Sequence, residues 1–257
     1  MTVISSRDNP RVRRWRELAR DARMRRKKKR ALIEGEHLVT AFLDAGRKVD
    51  SLILAKSALG KFENLAKRAG GAPVVVADAV FRTIADAESP SGIAAEIVLP
   101  MPGSDLKSAH ACVFLECIQD AGNVGAILRS AAAFGIRHAV LGAGCADAWS
   151  PKVLRAAMGG HFLLQIGENA DLSAAIGEFG GKVICTAPRG GTPLAEADLS
   201  GRIGWLFGAE GQGVSEALAA KAALKVTIPM PGNAESLNVA AAAAVCFYEF
   251  SRRGARA

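Results

Sequence analysis

Three short polar clusters stand out because each interrupts a strongly apolar stretch. The first is Gln119-Asp120-Ala121-Gly122-Asn123-Val124-Gly125, followed by Arg129 set among Ile127, Leu128 and Ala131–Ala133. An arginine in so small and apolar a setting is expected to lean into a cleft and find a polar partner, and Asn123 suits a helix N-cap. The second is Gly208-Ala209-Glu210-Gly211-Gln212-Gly213. Three glycines in six residues let backbone approach a ligand closely, and Glu210 in their midst can orient an arginine or a ribose. The third runs from Ile228-Pro229-Met230 to Ser236-Leu237-Asn238, at the start of a segment that is otherwise alanine and apolar. Ser236 suffices to cap a helix there, which leaves the polarity of Asn238 without a structural purpose. Each cluster alone is compatible with an ordinary turn.

Other chemistries lack their residues. No G-x-G-x-x-G follows a strand and no G-x-x-x-x-G-K-[ST] occurs, so the dinucleotide and P-loop phosphate cradles are missing. His37, His110, His138 and His161 are scattered and without zinc-site spacing, so no metal is expected. No G-x-S-x-G elbow supports a serine hydrolase.

The elements that must position the clusters follow from periodicity. In the second half, apolar runs at Ala111–Cys117, Ala139–Leu141, Leu163–Ile166, Lys182–Thr186, Ile203–Phe207 and Leu224–Ile228 read as strands. Helices are predicted between them at Val124–Phe134, Pro151–Met158, Leu172–Phe179 and Ser215–Ala220, with a long terminal helix over Ser236–Arg252. Strands this apolar, alternating with helices, predict a parallel sheet covered on both faces, with ligands at the C-terminal strand ends. The first half predicts a smaller α/β unit. Asp8-Asn9-Pro10 opens a helix carrying Val12, Trp15, Leu18, Ala19 and Ala22 on one face with the arginines outward, a second helix spans Gly35 to Asp44, and strands lie at Ser51–Ala55, Pro73–Ala77 and Gly92–Val98. A turn-rich break at Leu99–Ser104 separates domains placed at 1–100 and 108–257.

Charge adds an independent clue. The formal charge is +8, yet Arg7 to Arg30 holds 13 Lys/Arg against three acids, so the rest of the chain is slightly acidic. A basic stripe this dense is the footprint of a phosphate-backbone binder. Arg11, Arg13, Arg14, Arg25, Arg26, Lys27 and Lys28 are the candidate RNA contacts. The five cysteines form no C-x-x-C pair and suit a reducing compartment. No apolar run after Met1 resembles a signal peptide, and the longest, Val239–Phe247, is far short of the roughly 20 residues a membrane span needs. A cytoplasmic protein without membrane contact is expected.

Taken together and in order, the clusters resemble the SpoU (TrmH-like) branch of the SPOUT RNA methyltransferases. Asn123, Gly125 and Arg129 match N-x-G-x-x-x-R, Gly208–Gly213 match G-x-E-G-x-G, and Ile228–Met230 with Ser236–Asn238 match I-P-M…S-L-N. One departure is Asp120-Ala121, where the family usually carries Asp-Pro. The first half resembles the substrate-binding domain often fused to this enzyme, through Asn9-Pro10, the basic run, Ile33-Glu34-Gly35-Glu36 and Ser91–Ala95.

The resemblance implies an α/β fold with a deep trefoil knot, a homodimer that completes each active site, and S-adenosyl-L-methionine as cofactor. It implies 2'-O-methylation of a ribose in structured RNA, ribosomal more than transfer RNA. Arg129, Asn123, Glu210, Ser236 and Asn238 become the catalytic candidates; Gly208, Ile228, Met230, Leu237 and Thr186 become the cofactor-binding ones. A tRNA methyltransferase, and a non-catalytic RNA-binding ribosome assembly factor on the same fold, stay open as alternatives.

Overall fold

A computed structural model describes residues 2–100, 105–232 and 235–254. The chain forms two compact units: residues 1–101 with 149–162, and residues 102–148 with 163–257. Part of the turn-rich break, residues 101–104, lies outside the described residues, as do Asn233 and Ala234 of the third cluster.

In the first unit the elements run β1 (Val3–Ile4), α1 (Pro10–Arg20), α2 (Ala22–Lys28), β2 (Arg30–Glu34), α3 (Glu36–Asp44), β3 (Ser51–Ala55), α4 (Glu63–Arg68), β4 (Val74–Val76), α5 (Asp78–Ile84) and β5 (Ile93–Val98). They make a mixed five-stranded sheet in the order β1-β4-β3-β5-β2. Two short strands, β1 and β2, escape the sequence reading. β2 is disguised by the basic run that leads into it, although its centre, Ala31–Ile33, is fully apolar and buried.

The basic segment, predicted as one helix, is two. Asn9 caps α1 by accepting from the Arg11 N–H, with Pro10 in the first turn. Asp21 is extended, so its own N–H closes α1 on Glu17 O while its side chain accepts from Arg23 N and opens α2. The break resets the helical phase. α1 is held down by Glu96, whose fully buried carboxylate accepts from the Trp15 indole at 2.8 Å, Arg14 at 2.7 Å and Arg30 at 3.2 Å. A buried charge is tolerable only when paired in this way.

The second unit contains β6 (Ala111–Leu115), α6 (Ala121–Ala133), β7 (His138–Gly142), then, after the excursion that carries α7 (Pro151–Ala157) in the first unit, β8 (Gln165–Ala170), α8 (Leu172–Phe179), β9 (Lys182–Thr186), β10 (Thr192–Pro193), β11 (Ile203–Phe207), α9 (Glu216–Ala219), β12 (Leu224–Thr227) and α10 (Val239–Gly254). All seven strands pair in parallel, in the order β10-β12-β9-β11-β6-β7-β8. β6 and β11 are buried along their whole length, as their uninterrupted apolar runs require. Trp205 and Phe207 of β11 meet Phe247 of α10, and Phe114 of β6 meets Phe179 of α8, so both faces are covered. Leu163 falls in a 3-10 turn (Gly160–Leu163), and the strand predicted there begins two residues later at Gln165.

Candidate active site

The parallel sheet brings the C-terminal ends of β6, β9, β11 and β12 to one edge. The loop after β6 runs into α6, but its cap is Asp120, whose side chain accepts from Asn123 N at 2.7 Å. Ala121 stands at the first helical position, where the family's proline would fit without costing a hydrogen bond. Asn123 is therefore not the cap. Its amide is free to reach across, and Nδ2 donates to Glu210 Oε1 at 2.6 Å.

Glu210 sits on the loop after β11. That loop closes on itself, with Gly213 N–H donating to Ala209 O at 2.8 Å. Gly208 has no room for a side chain, since a Cβ there would lie 2.0 Å from Gly213 O. Gly211 and Gly213 take positive φ, +82° and +72°, which glycine adopts without strain.

The third element arrives from β12. The terminal helix starts at Val239, three residues after the predicted Ser236, because Asn238 is its cap: Asn238 Oδ1 accepts from Ala240 N at 2.9 Å and Ala241 N at 3.3 Å. Its Nδ2 donates to Glu210 Oε1 at 3.0 Å and Asn123 Oδ1 at 2.9 Å. Three residues 28 and 115 positions apart in the chain thus make one network, each anchored to a backbone turn.

Beside it is a cavity of about 360 Å³. Gly208, Ile228, Met230, Leu237 and Thr186 all line it, together with Glu210, Ser236 and Asn238. Ala187, Pro188, Val239 and Ala242 line it too and were not singled out from the sequence. The Pro188-Arg189-Gly190-Gly191 turn directly after an apolar strand is the signal that could have flagged the first two. The lining combines apolar side chains with glycine-loop backbone, and no Cβ is tolerated at Gly208. That combination fits a flat heteroaromatic ring with hydrogen-bonding edges, such as the adenosyl part of S-adenosylmethionine.

Arg129 differs from its expectation. It is exposed, does not line the cavity, and has no hydrogen bond or ion pair among the described residues. Six residues along α6 from Asn123, it points roughly 240° round the helix from it. Its neighbours on the exposed or half-exposed side of α6 are the small residues Gly122, Ala126 and Ala133.

Of the candidate RNA contacts in the first unit, Arg11, Arg13, Arg26, Lys27 and Lys28 are exposed. Arg14 is half-buried and paired with Glu96. Arg25 is turned inward, 4% exposed, and donates to Leu18 O at 2.6 Å at the end of α1. The phase reset at Asp21 explains this, and it removes Arg25 from any outward-facing stripe. Among the described residues no group of three His, Cys, Asp or Glu could hold a metal ion, and no helix is long and apolar enough to cross a membrane.

Comparison with known proteins agrees with this geometry. The SpoU rRNA Methylase family model matches residues 110–248, and the MRM3-like substrate binding domain matches residues 9–95. The chain is 36% identical over 251 residues to the 23S rRNA (guanosine(2553)-2'-O)-methyltransferase RlmP of Bacillus subtilis, covering 96% of this chain and 98% of that protein. It is 33% identical over 144 residues to the 23S rRNA (guanosine-2'-O-)-methyltransferase RlmB of Coxiella burnetii, covering 55% of this chain and 58% of that protein. An AdoMet-bound rRNA methyltransferase from Sinorhizobium meliloti superposes with a TM-score of 0.83 at 27% identity, over 98% of both chains. With the family model spanning more than half of the chain, and a substrate-binding domain model before it, the protein belongs to the SpoU rRNA methylase family.

Proposed function

We propose that this chain transfers a methyl group from S-adenosyl-L-methionine to the 2'-hydroxyl of a ribose in ribosomal RNA. One observation carries the proposal: the Asn123–Glu210–Asn238 network closes one side of a cavity lined by Gly208, Ile228, Met230, Leu237 and Thr186. The relative RlmP, matched over nearly its whole length, supports ribosomal RNA as the substrate class. A cytoplasmic location is part of the same proposal.

The cofactor supplies an electrophilic methyl on a sulfonium, and the protein's part is in-line positioning and help with the leaving proton. Backbone groups at Gly208, Ile228, Met230 and Leu237, with Thr186 beside them, would hold the cofactor between apolar side chains. Glu210, Asn123 and Asn238 keep each other oriented, and with Ser236 they present a polar wall to the ribose. Arg129 serves as a phosphate contact and not as a base, because a guanidinium offers donors and no acceptor. It binds the phosphate next to the target ribose and lowers the hydroxyl pKa, and phosphate or water takes the proton.

Arg129 reaches a site by way of a second copy. Its exposed position outside its own chain's cavity supports a homodimer in which α6 of one protomer serves the cavity of the other. Ala241, Val245 and Tyr248 make an exposed stripe on α10, which packs beside α6, and give such a dimer an apolar contact. Residues 108–257 are the methyltransferase domain and residues 1–100 deliver the RNA through Arg11, Arg13, Arg26, Lys27 and Lys28. The trefoil knot belongs to the same proposal. It is supported by the gathering of the loops after β9, β11 and β12 around one cavity.

The test is mass-spectrometric mapping of ribose methylation in ribosomal RNA from cells with and without this protein. One 2'-O-methyl is expected to disappear on deletion, and to stay absent when Arg129→Ala replaces the wild type. Calorimetry on R129A is expected to show cofactor affinity within about threefold of wild type. An unchanged methylation map, or wild-type turnover in R129A, would refute the proposal.

A further inference from the structure

The glycine loop that carries Glu210 is tied down at its entrance and at its exit by different means. The entrance closes on the exit: Gly208 lies against the backbone of Gly213 and Val214, and Gly213 N–H bonds to Ala209 O. The exit is held from another strand. Glu116, the residue directly after β6, extends the β6–β11 ladder by donating its N–H to Phe207 O at 2.9 Å. Its half-buried side chain then turns to the loop, and Oε2 accepts the Ser215 N–H at 2.8 Å. Ser215 in turn caps α9.

We propose that Glu116 is a positioning residue for methyl transfer, acting through Glu210. The inference rests on the reading of Glu210 given above. The physical case is one of tolerances. Glu210 Oε1 must meet Asn123 Nδ2 at 2.6 Å and Asn238 Nδ2 at 3.0 Å together, from a loop with glycines on both sides of it. Glycines on both sides make the loop soft, so its register depends on what holds its two ends. Without an acceptor at position 116, the Ser215 N–H turns to water, and the exit, then held by its contacts to Gly208 and Ala209 of the same loop, drifts together with that loop. A drift of about 1 Å at a reacting group costs up to about a hundredfold in rate. The lining from Thr186, Ile228, Met230 and Leu237 lies outside this loop and stays in place, so most of the cofactor contact is spared.

The test uses full-length protein and single-turnover methylation of ribosomal RNA with radiolabelled cofactor, on Glu116→Ala, Glu116→Gln, Glu210→Gln and the double variant Glu116→Ala/Glu210→Gln. E116A is expected to lower the rate about tenfold, with cofactor Kd within threefold of wild type. E116Q keeps an acceptor for the Ser215 N–H and is expected to recover the rate to within threefold. Because both residues act through one group, the double variant should be no slower than E210Q alone, within twofold. A rate in E116A within twofold of wild type overturns the proposal. So does a double variant slowed by the product of the two single effects, which is what an unrelated structural role produces. Wild-type rate in E210Q removes the reading of Glu210 itself and Glu116 with it, an outcome visible without either E116 variant. Should E116A not fold, Ser215→Pro removes the same N–H at a φ of −60° that proline adopts, and Ser215→Ala, which loses the α9 cap but keeps the N–H, is its reference, with the same expectations for the difference between them.

Discussion

Adding one methyl group at Gly208 tests whether the loop after β11 has to close on itself. A Cβ at this position meets Gly213 O at 2.0 Å, Gly213 C at 2.1 Å and Val214 N at 2.3 Å. All three are backbone atoms, so no side-chain rotation relieves the overlap. Real Cβ contacts are essentially never under 3.0 Å, so the base of the loop has to open by about 1 Å. That stretches the Gly213 N–H bond to Ala209 O from 2.8 Å past hydrogen-bonding range. The lost bond is worth about 0.5–1.5 kcal/mol, and crowding a packed site adds about 1–3 kcal/mol. The expected destabilisation is roughly 2–4 kcal/mol, a fall in Tm on the order of 10 °C for a chain of this size. Glu210 moves with the loop, so turnover should drop about a hundredfold, and the cavity wall at Gly208 moves as well, so cofactor affinity should weaken at least tenfold. Gly177→Ala is the control, since a Cβ there meets nothing within 4 Å and the residue lies inside α8. It should be neutral or stabilising by up to about 1 kcal/mol. Thermal melts and calorimetric titration with S-adenosylmethionine decide the matter. A G208A protein that melts with the parent and binds cofactor equally well would refute the loop argument.

Asn238→Asp keeps the cap acceptor for Ala240 and Ala241 but sets a carboxylate against Glu210 Oε1, 3.0 Å from the present amide. Melting temperature should stay within about 2 °C while turnover at pH 7.5 falls more than tenfold, because two like charges share the site; equal losses of both, or of neither, would contradict this. Lys27→Ala and Lys28→Ala should each weaken RNA binding and flatten its salt dependence by about one unit of slope, read from filter binding across a salt series. Arg25→Ala should lower stability by about 1–3 kcal/mol, since it strips a buried donor from Leu18 O. Its salt slope should stay that of the parent. Under native conditions a maleimide is expected to label Cys117, which is exposed, before the other four cysteines. Burial raises the pKa of the thiols of Cys112, Cys145 and Cys185, and pushes that of Cys246 up to about 12. Thiolate attack therefore has little to use at pH 8, and peptide mapping of the labelled protein checks the order.

The residues of the site were legible because polar side chains in an apolar context need a reason. Asn238 at the head of an alanine-rich segment and Glu210 among glycines each pointed to something beyond packing. What each side chain does locally was less legible. Ser236 and Asn123 are as good N-caps by type as Asn238 and Asp120, and only the paths of the two loops decide which side chain meets the first free N–H groups. The outward display of the basic run also failed, fully at Arg25 and in part at Arg14, which pairs with the buried Glu96. Helical phase was carried through Asp21, whereas the chain becomes extended there and Arg25 rotates inward. β2 was missed for a related reason, since its entry is hidden behind a run of charges.

Composition and spacing by themselves determined the α/β class, the apolar strands of the parallel sheet, the concentration of positive charge before residue 31, and the residues able to form a site. These are local properties: periodicity, side-chain chemistry, glycine content. Only tertiary structure decided that Asn123, Glu210 and Asn238 share hydrogen bonds, that Glu116 holds the exit of the Glu210 loop, and that Arg129 faces away from its own chain's cavity. Those facts depend on strand order. β11 lies between β6 and β9, with β12 beyond β9, so segments over a hundred residues apart end at one sheet edge. Strand pairing is set by burial and hydrogen bonding across the whole sheet, and no window of neighbouring residues contains that information.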